Sequence, residues 1–303
     1  MSGVITTSNH PKALWPGIHA WFGRNYNQIP AQYKGCFETE KSDKKYEEDV
    51  ELTGFGLAPV KTEGGSVAFD SETQGPTTRY THVSIGLGYI VTLEEREDNL
   101  YAAVSRKRSK ALAFSMMQTK ETIAANVYNR AVNASYVGGD GQPLLSTAHP
   151  TVDGTQSNML ATPADLSEAA LEAALIEISQ MKNSRGLRIN AKAKELIIPS
   201  ALQFDAERIL KSNLRVGSEL NDVNAIKNMG LLPGGIHENR YLTNDKMWFI
   251  KTDIPDGMRH FERRKLKFTK DNDFHTDNAL AKATERYSFG WTDWRAIFGS
   301  QGT

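Results

Sequence analysis

The side chains able to do chemistry are sparse and scattered in this sequence. Histidines stand at His10, His19, His82, His149, His237, His260 and His275. No two of them lie at i, i+3 or i, i+4, the spacing that would turn two ligands onto one helix face. Each therefore reads as a surface or hydrogen-bonded histidine, and no metal site is expected. Cys36 is the single cysteine, which excludes an intrachain disulfide and a cysteine-based zinc cluster. It reads as an inert thiol. Asp140, His149 and Asp153 share one loop and have the residue types for acid–base work or cation binding. Polar loop residues of this kind more commonly stabilise turns. The chain contains no H-E-x-x-H, no G-x-S-x-G and no Walker phosphate loop. Gly54-Phe55-Gly56 and Gly138-Gly139-Asp140-Gly141 lack the strand-to-helix setting of a nucleotide site and read as turns. Asn133-Ala134-Ser135 matches a glycosylation sequon, with no secretory route to use it. No catalytic residue, cofactor site or cofactor is expected.

Two basic clusters carry more information. Arg106, Lys107, Arg108 and Lys110 lie within a helical pattern. Arg263, Lys265 and Lys267 alternate onto one expected strand face, with Arg264 opposite. Ion pairing to acidic surface such as Glu47, Glu48, Asp49 and Glu51 is the favoured reading over contact with nucleic-acid phosphates.

Whatever positions these residues is sizeable. A chain of 303 residues predicts two domains at roughly 100–200 residues each. With 39% hydrophobic and 24% charged residues the composition is globular. No apolar run approaches the roughly 18 residues of a membrane span, and Met1–His10 lacks the pattern of a secretory signal. Lys+Arg and Asp+Glu balance at 36 each, which argues against generic nucleic-acid coating.

Residues 1 to about 50 read as an irregular arm, punctuated by Pro11, Pro16, Gly17, Gly23 and Pro30. Trp15, Trp21, Phe22, Tyr26 and Tyr33 are too apolar for a solvated tail, so the arm is expected to lie against its own domain or a neighbouring subunit. Stretches Val50–Val60 and Tyr80–Thr92 flank a polar middle, which reads as a long hairpin needing a partner surface. Thr92 and Glu95 form a capping box opening a helix from Leu93 to about Val132, roughly 60 Å long. An α/β region follows the loop at residues 138–158. Its helix starts at Asp165 or Ser167 with Gly186 after its end, its buried strand Glu195–Ile198 ends at Pro199, Ser200 caps a helix to about Lys211, and Lys246–Thr252 is a strand. Arg259–Thr269 and Lys282–Trp291 form a second long hairpin around a turn at Lys270–Asp277.

This order of elements resembles the major capsid proteins of tailed bacteriophages, the Hong Kong 97-type capsid fold, across essentially the whole chain. The most specific pieces are the run Ala283-Thr284-Glu285-Arg286-Tyr287-Ser288-Phe289-Gly290-Trp291-Thr292-Asp293-Trp294-Arg295 with Phe298-Gly299-Ser300, and the stretch Asn190–Pro199. The resemblance implies an α+β fold divided into an N-terminal arm at 1–49, an E-loop hairpin at 50–92 and a peripheral domain with its spine helix at 93–137. An axial domain at 138–253 and a peripheral return at 254–303 would complete it. It implies a non-enzymatic protein of the virion, assembled in the host cytoplasm into pentamers and hexamers of an icosahedral shell around double-stranded DNA contacted non-specifically. A portal protein, a separate scaffolding protein and, in some members, a decoration protein are the other implied partners, with no membrane. Lys61 is the only lysine between Tyr46 and Arg106, and it sits in the hairpin arm, so subunit crosslinking is not expected. The inter-subunit candidates are Trp15, Trp21 and Phe22 as arm anchors, Glu72 and Arg79 as ion-pair partners near the hairpin tip, and Lys265 and Lys267 toward a neighbour or DNA. A nanocompartment shell of the encapsulin type is the same-fold alternative. A two-domain enzyme and a DNA-binding module are the alternatives of other classes.

Overall fold

A computed structural model describes residues 4–5, 30–98, 102–214 and 223–303. In chain order its elements are β1 (Val4–Ile5), α1 (Tyr33–Cys36), β2 (Glu38–Lys41), β3 (Tyr46–Leu52), β4 (Gln74–Thr81), β5 (Val83–Val91), α2 (Leu93–Asp98) and α3 (Ala102–Asn129). Then follow β6 (His149–Thr151), β7 (Gly154–Gln156), α4 (Glu168–Ser179), β8 (Ala193–Ile198), α5 (Gln203–Lys211), α6 (Ala225–Met229) and β9 (Ile236–Glu238). The last are β10 (Trp248–Thr252), β11 (Met258–Asn272), β12 (Ala279–Trp291) and β13 (Ile297–Ser300).

Two sheets and one long helix make the frame. The larger sheet has the order β1-β5-β12-β11-β2, and its centre is the closing hairpin β11–β12. Along β12 the small residues Ala279, Ala281 and Ala283 are buried while Lys282 is exposed, the period-2 pattern of a half-buried strand. The alanine row lets α3 approach closely, so Leu112, Ala113 and Met116 pack on Ala283, with Ile85, Tyr89, Leu266 and Phe268 around them.

The smaller sheet has the order β13-β10-β8-β9 and is covered on both faces. Leu196, Ile198, Trp248, Ile250 and Phe298 face a layer formed by α4, α5 and α6. Ile197, Phe249 and Ile297 face the other way, onto Ala124 and Tyr128 of α3 and onto Tyr33, Cys36 and Phe37. Burial on both faces is why Leu196-Ile197-Ile198 reads as an unbroken apolar run. Ser167 accepts a hydrogen bond from the Ala170 amide to open α4, Asn224 does the same from Lys227 for α6, and α6 ends on Gly230 at φ 60°.

Several expectations shift. The first hairpin pairs β3 with β4, whereas β5 leaves it to pair with β12. The change of partner falls at the single non-strand residue His82, which is buried and bonded to Ser42 and Ser288 at 3.0 Å each. Alternation alone specifies a face and not a partner, so the sequence pattern runs straight through it. Of the expected spine helix, α2 and α3 are described, and α3 stops at Asn129. Gly186 sits in a later turn at φ 79° and not at the end of α4. A 3-10 turn at Ser200–Leu202 precedes α5, because the Ser200 hydroxyl bonds Glu238 at 2.6 Å and caps no helix. The closing hairpin has a shorter turn than expected, since β11 continues to Asn272 and β12 starts at Ala279.

Candidate assembly surfaces

The β3–β4 ribbon is built from two chemically different faces. Along β3, Glu47, Asp49 and Glu51 are half-buried and alternate with exposed Tyr46, Glu48, Val50 and Leu52. The inward acids tie the ribbon to the body of the molecule. Asp49 lies 3.3 Å from Arg259 Nε and accepts from the Thr292 hydroxyl at 2.7 Å. Glu51 lies 3.4 Å from the buried Arg295 and also accepts from Ser184. Arg185 donates to the Gly54 and Ser71 carbonyls and lies 3.4 Å from Asp70. The acidic run is thus neutralised by Arg259 at Asp49 and Arg295 at Glu51, with Arg79 beside Glu48 and Lys44 beside Glu47, and among the described residues no member of the two basic clusters considered as its partners pairs with it. Among the described residues only Arg263, 3.7 Å from Asp43, pairs any of the 263–267 cluster with a carboxylate.

The outward face of the ribbon and its tip expose large apolar side chains, interspersed with charged Glu48, Lys61, Glu63 and Arg79. Of twenty large apolar side chains exposed among the described residues, eight lie between Tyr46 and Phe69: Tyr46, Val50, Leu52, Phe55, Leu57, Val60, Val67 and Phe69. Val60 and Phe69 are each 96% exposed. Such a run in 24 consecutive positions is a patch and not scattered surface hydrophobicity. Phe274, at the tip of the β11–β12 hairpin, is 91% exposed. An apolar groove between α4 and α6, rimmed by Ile176 and Met229, is a further bare surface.

The individual candidates separate. Trp15, Trp21 and Phe22 lie outside the described residues. Glu72 is exposed just before β4. Arg79 is not near the tip: register pairs it with Glu48 toward the base of the ribbon, 3.6 Å from that carboxylate and 3.7 Å above the Tyr46 ring. Glu72 and Arg79 therefore do not share a site. Lys265 and Lys267 are exposed, but the expected strict alternation of Arg263, Lys265 and Lys267 is broken. Register shifts between Glu262 and Arg264 and between Arg264 and Lys267 re-aim these side chains. Thr92 accepts from the Glu95 amide at 3.3 Å as expected, while the Glu95 carboxylate turns to Arg108 instead of closing the capping box.

The buried polar groups hold the frame together. Asp140 and His149 do meet, at 2.5 Å through Nδ1, with the imidazole stacked on Trp294 at 4.2 Å and bonded through Nε2 to Asn158 at 3.1 Å. Asp153 is elsewhere, 3.9 Å from Lys182. Glu121, on α3, accepts from the backbone amides of Gln32 and Tyr33 at 2.9 and 3.1 Å. Lys120 lies 3.3 Å from Glu285 on β12. His237 lies 3.4 Å from Glu195, and hydrogen bonds to Cys36 and Glu195 raise its pKa to about 10 against the opposing effect of burial. His260, stacked on Phe289 at 4.3 Å, is lowered to about 3 by burial and then by Lys120 and Lys34. These pairs join residues far apart in sequence, and only the shared loop of Asp140 and His149 was a signal that sequence reasoning could use. Among the described residues no cluster of three metal-ligating side chains occurs, and no helix is long and apolar enough to cross a membrane.

Comparison with known proteins gives one consistent answer. A solved structure from Mycobacterium phage Patience superposes with a TM-score of 0.60 at 12% identity, over 100% of this chain and 93% of that one. The capsid of the native GTA particle gives 0.57 at 9% identity, over 89% and 90%. The mature capsid of bacteriophage PhiM1 gives 0.57 at 11% identity, over 89% and 86%. At these identities the likeness is one of fold, and the fold is the Hong Kong 97-type α+β capsid fold. No curated protein matches the sequence. The family model described as phage capsid protein matches residues 75–299, from the start of the ribbon's return strand to the last sheet strand, and the chain belongs to that family.

Proposed function

We infer that this chain is a major capsid protein whose copies assemble into an icosahedral phage head enclosing double-stranded DNA, and that its functional sites are interfaces. The observation that carries this reading is the ribbon: acids anchor its inner face to the body, while eight large apolar side chains from Tyr46 to Phe69 stay bare. A monomer gains nothing from that exposure, whereas a neighbouring copy can cover it. At roughly 1.5–3 kcal/mol per fully buried large side chain, covering the tip is worth on the order of 10 kcal/mol per copy before the costs of association.

On this reading the β3–β4 ribbon at 46–81 is the E-loop, β5 joins 93–137 and the 258–291 hairpin in the peripheral domain, and 138–253 with β13 forms the axial domain, while Tyr33, Cys36 and Phe37 of the expected arm belong to this subunit's own core. The chain performs no catalysis, works with a separate scaffolding protein and a portal, and resides in the virion after assembly in the host cytoplasm. Exposed Lys265 and Lys267 suit contact with an acidic neighbour or with phosphate. The capsid reading is favoured over an encapsulin-like compartment because the matching family model is that of phage capsids.

The direct test replaces Phe55, Leu57, Val60, Val67 and Phe69 together by serine and follows assembly by sedimentation velocity. The expected product is a folded subunit that no longer forms shells. Shells formed as readily as by the parent chain would refute the role given to the tip.

A further inference from the structure

The five-stranded sheet has two edges, and they are treated oppositely. On one side β2 covers β11 only at Arg259–Glu262. The rest of β11 carries Arg263, Arg264, Lys265 and Lys267 and two register shifts, which are devices that blunt an edge against further pairing. On the other side β1 covers β5 only at Ile90 and Val91. Among the described residues nothing pairs with the outer edge of β5 from Val83 to Gly88. That stretch, Val83-Ser84-Ile85-Gly86-Leu87-Gly88, contains no charge and no proline, and its register with β12 is unbroken. Val83 is 56% and Leu87 47% exposed. An open, uncharged edge in unbroken register with its neighbour is a template for another strand.

The sequence of this edge is complementary to itself. Run antiparallel about Gly86, it sets Ile85 against Leu87 of a second copy, Ser84 against Gly88, and Gly86 against Gly86. The apolar residues then share one face and the small residues the other. Glycine at 86 and 88 is also required within the subunit, since a Cβ at Gly88 would lie 2.7 Å from the Ala281 carbonyl and one at Gly86 3.1 Å from the Thr284 methyl. The nearest cations on the same layer, Lys282 and Arg286, are on β12. Across the dyad they would be three strand spacings apart, about 14 Å, beyond the Debye length at physiological salt.

We propose that β5 pairs antiparallel with β5 of a second copy across a two-fold axis, joining two five-stranded sheets into one continuous sheet. The pairing is isologous and closes on itself, so it links two subunits without propagating into a fibre. It rests on the shell reading above and specifies one contact within it.

The test uses assembled particles of the full chain and three measurements. Hydrogen exchange should protect the Ser84–Gly88 amides in particles relative to dissociated subunits. A Gly86→Cys/Thr284→Ser variant, in which the second change makes room for the new side chain, should form an inter-subunit disulfide on oxidation. Directly opposed residues in an antiparallel pair lie within about 5.5 Å Cα to Cα, inside disulfide reach, and the native Cys36 is buried. Leu87→Lys, at a half-exposed site where the subunit tolerates the change, should weaken association at least tenfold. Particles whose edge amides exchange as in free subunits, or that give no disulfide, overturn the pairing while leaving the shell reading intact. A parent chain that never associates overturns both.

Discussion

At the scale of single residues, the hydrogen-bond network around His149 ties one loop to the C-terminal segment. Asn158 Nδ2 donates to the carbonyls of Leu144, Trp294 and Ile297, and its Oδ1 accepts from the Ser146 amide. Its amide orientation is therefore set, and His149 Nε2 must donate to that oxygen. On the other side of the ring Nδ1 lies 2.5 Å from Asp140 Oδ2, and both side chains are buried. His149→Phe keeps the stack on Trp294 but strands both partners, and should cost about 2–4 kcal/mol in denaturant unfolding. Two other histidines set the pH range. An unfolded histidine titrates near 6.5. Below that value the unfolded chain gains a proton that His260, held at about 3, refuses, so stability falls as pH drops toward 3. His237 works in the opposite sense: its contribution is complete below about 6.5 and is lost as pH rises toward 10. Urea midpoints measured across pH should peak near 6.5, His260→Phe should flatten the acid limb and His237→Gln the alkaline one. The sequence located Asp140 and His149 on one loop, but not His237 beside Glu195, because contacts between distant strands leave no local spacing to read.

At the scale of elements, the spine helix α3 is the part against which the others are built. One stretch of it packs on the alanine row of β12, its C-terminal end packs on the central sheet, and Glu121 between them captures the amides of Gln32 and Tyr33. Glu121→Ala should leave those two donors unmatched and cost about 1–3 kcal/mol, read as a lowered thermal midpoint with the fold retained. Arg295 is the corresponding tie for the ribbon. It donates to the Lys182 carbonyl at 2.9 Å and lies 3.2 Å from Asp293 and 3.4 Å from Glu51. Arg295→Met should cost about 3–5 kcal/mol, because it leaves the partly buried carboxylates unpaired. The closing hairpin, the central strand at 195–198 and the caps at Ser167 and Thr92 were legible because each rests on local alternation or a local hydrogen bond. The partner of β5 was not, since strand pairing is decided by the helix and hairpin that cover it. Nor was the broken face of Arg263–Lys267, because a bulge arises from pairing with β12 and not from the strand's own pattern.

At the scale of the whole molecule, zero net charge combines with uneven placement. Arginines that face acids inside the subunit, at positions 185, 259 and 295, are neutralised there. The β11 edge keeps its cations, the ribbon tip presents apolar side chains, and the β5 edge presents neither charge nor proline. Many like copies can pack without large mutual repulsion when the sum is zero, and these distinct surfaces give each contact its own chemistry. The capsid fold was readable from element order, length and the closing run Ala283–Arg295 together, since ribbon, long helix, α/β core and closing hairpin are each marked locally. The measurement that bears most directly on this account is electron cryomicroscopy of particles formed by the full chain, with any scaffolding protein it requires supplied. The account predicts closed icosahedral shells in which the Phe55–Phe69 tip of each copy lies buried on a neighbour. A chain that stays monomeric at high concentration whether or not such a protein is present, or shells whose ribbon tips remain in solvent, would contradict it.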